Sequence, residues 1–173
     1  MTSTETSLGT SNLDADGTTE STEMNHILTD AASIQRYVLR GRSIFTLANK
    51  SSGTHLTYKV QRKIEGDIYW VSLLIGCDNL KDYRFFGTIF PDYSGGPHWF
   101  KHSTNGKITK MSTGAQAWDW FFYRLTHKLS FPSEFVFYRP SRCTKCGAFL
   151  TTPESIDRGY GDECWNIVHH DLW

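Results

Sequence analysis

The chain has 173 residues, 39% hydrophobic and 14% aromatic, enough for one sizeable core and a small appendage. Its formal charge is zero, and no run approaches the roughly 20 apolar residues that span a bilayer. The first residues are rich in Thr, Ser and Glu, not the basic-then-apolar pattern of a signal peptide, so the expected location is the cytoplasm. Four cysteines in a reducing compartment point to metal before disulfides.

The zero charge conceals an asymmetry. Residues 1–25 carry five acidic groups and no Lys or Arg. Residues 26–138 hold 14 basic and 8 acidic residues, a net of +6. Residues 139–173 have four basic and five acidic, a net of −1. Three units follow: a disordered acidic tail (1–25), a basic domain (26–138) and a zinc-binding module (139–173). The tail has no aromatics and too little apolar surface to offset its ordering entropy.

In chain order, Asp30 to Arg36 reads as a short helix leading into Tyr37-Val38-Leu39. Ser43 to Ala48 is β-like, Asn49-Lys50-Ser51-Ser52-Gly53 turns the chain, and Thr54 to Arg62 returns as the second arm of a hairpin. In that arm Leu56, Tyr58 and Val60 share one face, and Thr57, Lys59 and Gln61 share a solvated one. Ile68 to Ile75 is apolar on both faces, the pattern of a central strand. Tyr83 to Phe90 is the next strand, and a shorter one is expected near His98 to His102. Ser112 or Thr113 caps a helix whose Trp118, Phe121, Phe122 and Leu125 form one stripe, with Trp120 off it as a possible exposed contact. Glu134 to Tyr138 reads as a last strand. The expected architecture is α+β: a curved antiparallel sheet of five or six strands packed by one long helix, followed by a small treble-clef-like zinc module.

The module's chemistry begins with Cys143-Thr144-Lys145-Cys146-Gly147. A C-x2-C turn aims two thiolates at one ion, and the following Gly accepts the positive φ that such a turn needs. Cys164 supplies a third sulfur after Gly159 and Gly161, near the start of a terminal helix. A tetrahedral structural zinc needs a fourth ligand. His169 is expected to fill that role by sharing a helical face with Cys164, with His170 and Cys77 as the alternatives.

The run Cys143-x2-Cys146-Gly147-x2-Leu150-x2-Pro153-x-Ser155-x3-Gly159-x-Gly161-x2-Cys164 resembles a short C-terminal zinc-type module of uncharacterised bacteriophage and actinobacterial proteins. The resemblance covers about 22 residues. It implies a phage or prophage origin and supplies no activity.

The module's net charge directs phosphate binding to the central domain. There Arg40, Arg42, Lys59, Arg62, Lys63, Arg84 and Lys101 are interleaved with aromatics, as single-stranded nucleic acid requires: cations for phosphates and rings for bases. His98 and His102 read as surface residues rather than a metal pair, and Cys77 as a loop thiol without a triad. The expected function is therefore that of a non-enzymatic, phage-type accessory protein binding nucleic acid or a nucleoprotein complex, with a structural Zn2+. The alternative is a protein-interaction inhibitor of a host factor, an anti-defence or host-takeover protein acting in the host cytoplasm.

Overall fold

The computed structural model describes residues 26–64 and 66–170, without the side chain of His170; the expected acidic tail lies outside the described residues. A seven-stranded antiparallel sheet organises them. Its strands are β1 (Ile27–Leu28), β2 (Arg42–Asn49), β3 (His55–Arg62), β4 (Tyr69–Leu74), β5 (Tyr83–Phe90), β6 (Trp99–His102) and β7 (Phe135–Tyr138), in the order β1-β7-β2-β3-β4-β5-β6. The sheet exceeds the expected five or six strands because Ile27–Leu28, too short to show a period, pairs with β7.

The β2–β3 hairpin forms as its turn sequence dictates. The Asn49 side chain accepts from the backbone N–H groups of Ser51 and Ser52, and Gly53 takes a φ of 69°. Inward residues of the sheet meet two helices, not one: α1 (Ala31–Val38) and α2 (Thr113–Thr126). Each begins at an N-cap side chain: Asp30 accepts from the Ser33 N–H, and Ser112 from the Ala115 N–H. The α2 stripe of Trp118, Phe121, Phe122 and Leu125 is buried as its spacing predicts. Tyr37 and Val38 belong to α1, where they join Ile34 in the same core.

That core is aromatic. Phe45 of β2 stacks on Phe137 of β7 at 4.8 Å between centroids, with Tyr58, Phe121 and Trp118 also around it. Burying rings of this size supplies most of the hydrophobic stabilisation. Gly114 sets the distance between α2 and the sheet. A Cβ built there would lie 2.3 Å from Leu73 Cδ2, and its carbonyl accepts the buried Tyr58 hydroxyl at 2.7 Å.

The sheet's other face is divided. Over β7, β2 and the start of β3 it is covered by the C-terminal segment, which comprises the hairpin β8 (Ser141–Arg142) and β9 (Phe149–Leu150), then α3 (Pro153–Arg158) and α4 (Asp162–His170). A second core of Val136, Tyr138, Cys143, Leu150 and Ile156 fills this contact. Thr57, expected on a solvated face, is 5% exposed because this segment lies over it. Among the described residues nothing covers the middle of the remaining outer face, where Trp70 of the central strand β4 is 47% exposed. The two apolar faces of β4 thus mark its central position without both being covered.

Gly114→Ala is expected to destabilise the chain by about 1–3 kcal/mol, through overpacking against Leu73. The same substitution made with Leu73→Ala should cost clearly less than the sum of the two single changes. Additive denaturation midpoints would refute this account of the helix–sheet contact.

Candidate metal centre

Cys143 follows β8, and its N–H donates to the Ala148 carbonyl, closing the hairpin. The chain then turns back: Gly147, with φ 72°, donates its N–H to the Cys143 carbonyl. That positive φ is what a glycine supplies at low cost. Cys164 reaches the same place from the first turn of α4. α3 positions that turn, starting with Pro153 at its N-terminus and ending at Gly159 in the left-handed conformation. Gly159 is itself held by Thr144, whose N–H and hydroxyl both donate to the Gly159 carbonyl.

The result is one cluster. The sulfurs of Cys143, Cys146 and Cys164 all lie within 4.8 Å of one another, against about 3.8 Å between two thiolates on tetrahedral zinc. Cys143 is buried, Cys164 intermediate and Cys146 exposed. The backbone N–H groups of Cys146 and Gly161 lower the Cys143 thiol to about 6 by favouring its thiolate. Cys164 is raised to about 11, chiefly by its hydrogen bond with the Cys146 sulfur and then by burial. A thiolate-prone sulfur packed against two further cysteine sulfurs is a donor set in which a cation can replace thiol protons. Three cysteines in this arrangement could hold a metal ion.

The expected fourth ligand is not brought to the cluster. His169 lies five residues after Cys164, about 140° around a helix, so the two side chains leave α4 in different directions. The residue four positions after Cys164 is Val168. His169 instead stands one turn beyond Trp165, stacks on its ring at 3.6 Å and shares Nδ1 with the Trp165 carbonyl at 3.0 Å. The His170 side chain lies outside the described residues. Cys77 is exposed and lines the cavity that borders the three cysteines, as does His55, but neither belongs to the cluster.

Polar contacts dock this centre on the sheet. The Thr46 hydroxyl donates to the Thr151 carbonyl at 2.6 Å and also lies 2.8 Å from the Thr57 hydroxyl. A hydroxyl has one proton, so Thr57 must donate to Thr46. The Thr151 hydroxyl in turn donates to the Asn79 side-chain carbonyl, and the Asn79 amide donates to the Phe149 carbonyl.

The other predicted site residues separate into groups. Register places Arg42, Gln61, Trp70, Thr88 and Lys101 opposite one another in a row across five strands, on the outer face. Lys59 belongs to the next row, with Ile44, Ser72 and Phe85. Arg62 and Arg84 pair with Tyr69 and Leu73, on the opposite side of the pleat, and so do not join this face. Arg62 also forms an ion pair with Asp67 at 2.6 Å. Lys63 is exposed beyond the end of β3, and Arg40 stacks over Tyr37 at 4.0 Å. His102 contacts both Asp119 carboxylate oxygens of α2 at 2.8 Å, whereas His98 sits against the Tyr69 ring. The two histidines are therefore not a metal pair. Sequence reasoning placed Trp99 among the aromatics of this face but missed Trp70 and Phe85 as exposed rings on it; strand alternation could locate Trp70, but not the bulge beside Phe85.

Residues 133–169 match a family of unknown function (DUF6011). The match takes in β7 and the whole three-cysteine cluster. No curated protein and no solved structure matches the chain. Among the described residues, no helix is long and apolar enough to cross a membrane.

Thr46→Val should cost about 1–3 kcal/mol, since it leaves the buried Thr151 carbonyl without its donor. Chemical denaturation monitored by tryptophan fluorescence would measure it. His169→Ala should retain the metal stoichiometry of the parent chain, whereas Cys164→Ser should reduce it. Equal loss in both variants would restore His169 as a ligand.

Proposed function

We propose that the protein is a non-enzymatic, phage-type accessory protein that binds single-stranded nucleic acid on the open part of its sheet, with a structural zinc holding the C-terminal module in place. The row Arg42–Gln61–Trp70–Thr88–Lys101 is the observation that carries this reading. It puts a cation at each end, an exposed indole in the middle and hydrogen-bonding side chains between. Phe85 is 43% exposed in the row on one side of it, and Trp99, stacked on Phe90 at 4.7 Å, is 49% exposed on the other side. Rings presented on a sheet stack bases regardless of sequence, while flanking cations neutralise phosphates.

Zinc is the metal that best suits the donors. Soft thiolates select zinc among the divalent cations abundant in cells, and the C-x2-C-G turn with a third cysteine from a helix start is a treble-clef-like arrangement. A fourth donor from outside the cluster completes a closed tetrahedral site. Its role would be structural, because metal binding of this kind contributes on the order of 10 kcal/mol to folding a segment too small for a core of its own.

Labelled single-stranded DNA and RNA, titrated at two or more salt concentrations, test the reading. Affinity should fall with salt, Trp70→Ala should weaken binding about 5- to 150-fold, as expected for one lost stacking contact of about 1–3 kcal/mol, and Lys101→Ala should lower the salt slope by about one. Arg62→Ala, off this face, should change little. Failure to bind either nucleic acid at low salt would remove the hypothesis in favour of a protein partner. Chelation, or Cys146→Ser, should expose residues 140–170 to protease before the sheet opens.

A further inference from the structure

A second site lies at the edge of the docked segment. Arg40 and Arg42 stand at the α1–β2 junction, and Arg139 and Arg142 at the β7–β8 junction. Although about a hundred residues separate the two pairs, all four arginines line one cavity of about 520 Å3, together with His26 and Phe149. Among the described residues, no carboxylate lines it.

Two of the guanidinium groups are positioned by contacts that leave most of their donors available. Arg40 stacks on Tyr37 at 4.0 Å and donates through Nε to the Arg42 carbonyl at 3.1 Å. Arg142 lies over the Phe149 ring at 5.8 Å and donates one N–H to the Gly147 carbonyl at 3.0 Å. An arginine fork has five N–H donors, so each retains the geometry for bidentate contact. Among the described residues, Arg40, Arg42 and Arg142 bring like charge to this cavity with no carboxylate in its lining, which works against folding. In the adjacent row, Lys59 is held below the ordinary lysine range, first by partial burial and then by the charge of Arg42. A polyanion in the cavity removes that conflict.

We propose that this cavity binds a phosphate group, as a pyrophosphate-type polyanion or a phosphate ester. Phosphate fits better than a single carboxylate because it offers several acceptor oxygens and more than one charge to converging forks. The concave site, with Phe149 as one wall, suits a compact group rather than a flat protein surface. Arg42 belongs both to this cavity and to the row across the open sheet, so a nucleic-acid strand on that face would bring a phosphate here. That source rests on the open-face reading; the site itself does not.

The test uses the full, metal-loaded chain and pyrophosphate as probe, with ionic strength held constant by chloride, read by calorimetry. Saturable binding is expected, weakened at least tenfold by Arg40→Gln combined with Arg142→Gln, less by the paired Lys substitutions, and unchanged by Trp70→Ala. Absence of saturable binding, or equal binding by the parent and the Gln pair with unaltered thermal unfolding, overturns the proposal. In a second arm, single-stranded DNA with and without a 5′-phosphate is compared. A gain from the phosphate that disappears in the Gln pair supports the cavity and assigns it a strand terminus. Pyrophosphate binding without any DNA binding sinks the open-face reading and leaves the cavity standing. DNA binding sensitive to Trp70→Ala, without pyrophosphate binding and indifferent to the Gln pair, sinks the cavity alone.

Discussion

The buried hydroxyl of Thr46 joins two parts of the molecule that lie 105 residues apart in sequence, donating to the Thr151 carbonyl while accepting from Thr57. An outward-facing threonine in the middle of a sheet would ordinarily meet water. Here two such residues, Thr46 and Thr57, and Thr151 of the segment that covers them are at most 5% exposed. Burial without partners would cost each of them, so the chain of bonds through Thr151 to Asn79 and back to Phe149 is a condition for covering this part of the face at all. Once it is satisfied, Val136, Tyr138 and Leu150 can pack beneath the cysteine cluster. The docking also bounds the exposed part of that face, where Trp70, Phe85 and Trp99 beyond β3 stay 43–49% exposed among the described residues.

The two faces of the sheet are therefore built on different terms. The inner face is fixed by aromatic volume: Phe45, Tyr58, Trp118, Phe121 and Phe137 are all fully buried and interlock with α1 and α2. Such a core tolerates little change in volume. The outer face is fixed by register, since strand pairing alone brings Arg42, Gln61, Trp70, Thr88 and Lys101 into line from five separate segments. A slip of one residue in any strand would turn its member of the row into the core. The inner packing is what makes such a slip costly, and so it preserves the outer row.

Much of this was legible from local pattern. The strand runs, the Asn49–Gly53 turn, the Ser112 cap and the α2 stripe carry their period or their turn chemistry in consecutive residues. Cys143 and Cys146 were legible for the same reason, since C-x2-C-G declares its geometry within five residues, whereas Cys164 was legible only from its longer spacing after Gly159 and Gly161. What escaped was non-local. Ile27–Leu28 is too short to declare itself. α3 had a readable start at Pro153 and stop at Gly159, but only six residues between them. The pattern of Thr57, Lys59 and Gln61 predicted their common face correctly and could not show what would lie on it. His169 failed for a simpler reason: its spacing from Cys164 belongs to the opposite side of a helix, whereas its spacing from Trp165 is the one that brings rings together.

Net charge summed by segment was also a poor guide, and the reason bears on how the two sites relate. The C-terminal segment is net −1, yet Arg139 and Arg142 leave it toward Arg40 and Arg42, away from its acidic residues at Asp162 and Glu163, which border the cysteine cavity. Arg142 sits in β8, immediately before Cys143, and donates to the carbonyl of Gly147, the residue after Cys146. The guanidinium at the mouth of the basic cavity is thus held by the same turn that presents two of the sulfurs. A metal that rigidifies this turn also lowers the entropy cost of presenting Arg142 to an anion, and an anion that holds Arg142 favours the closed turn. Linkage makes such coupling reciprocal. A metal held by the cysteine cluster would accordingly act on the proposed anion cavity without lending it any charge or any ligand, through the order it imposes on the four residues between Arg142 and Gly147.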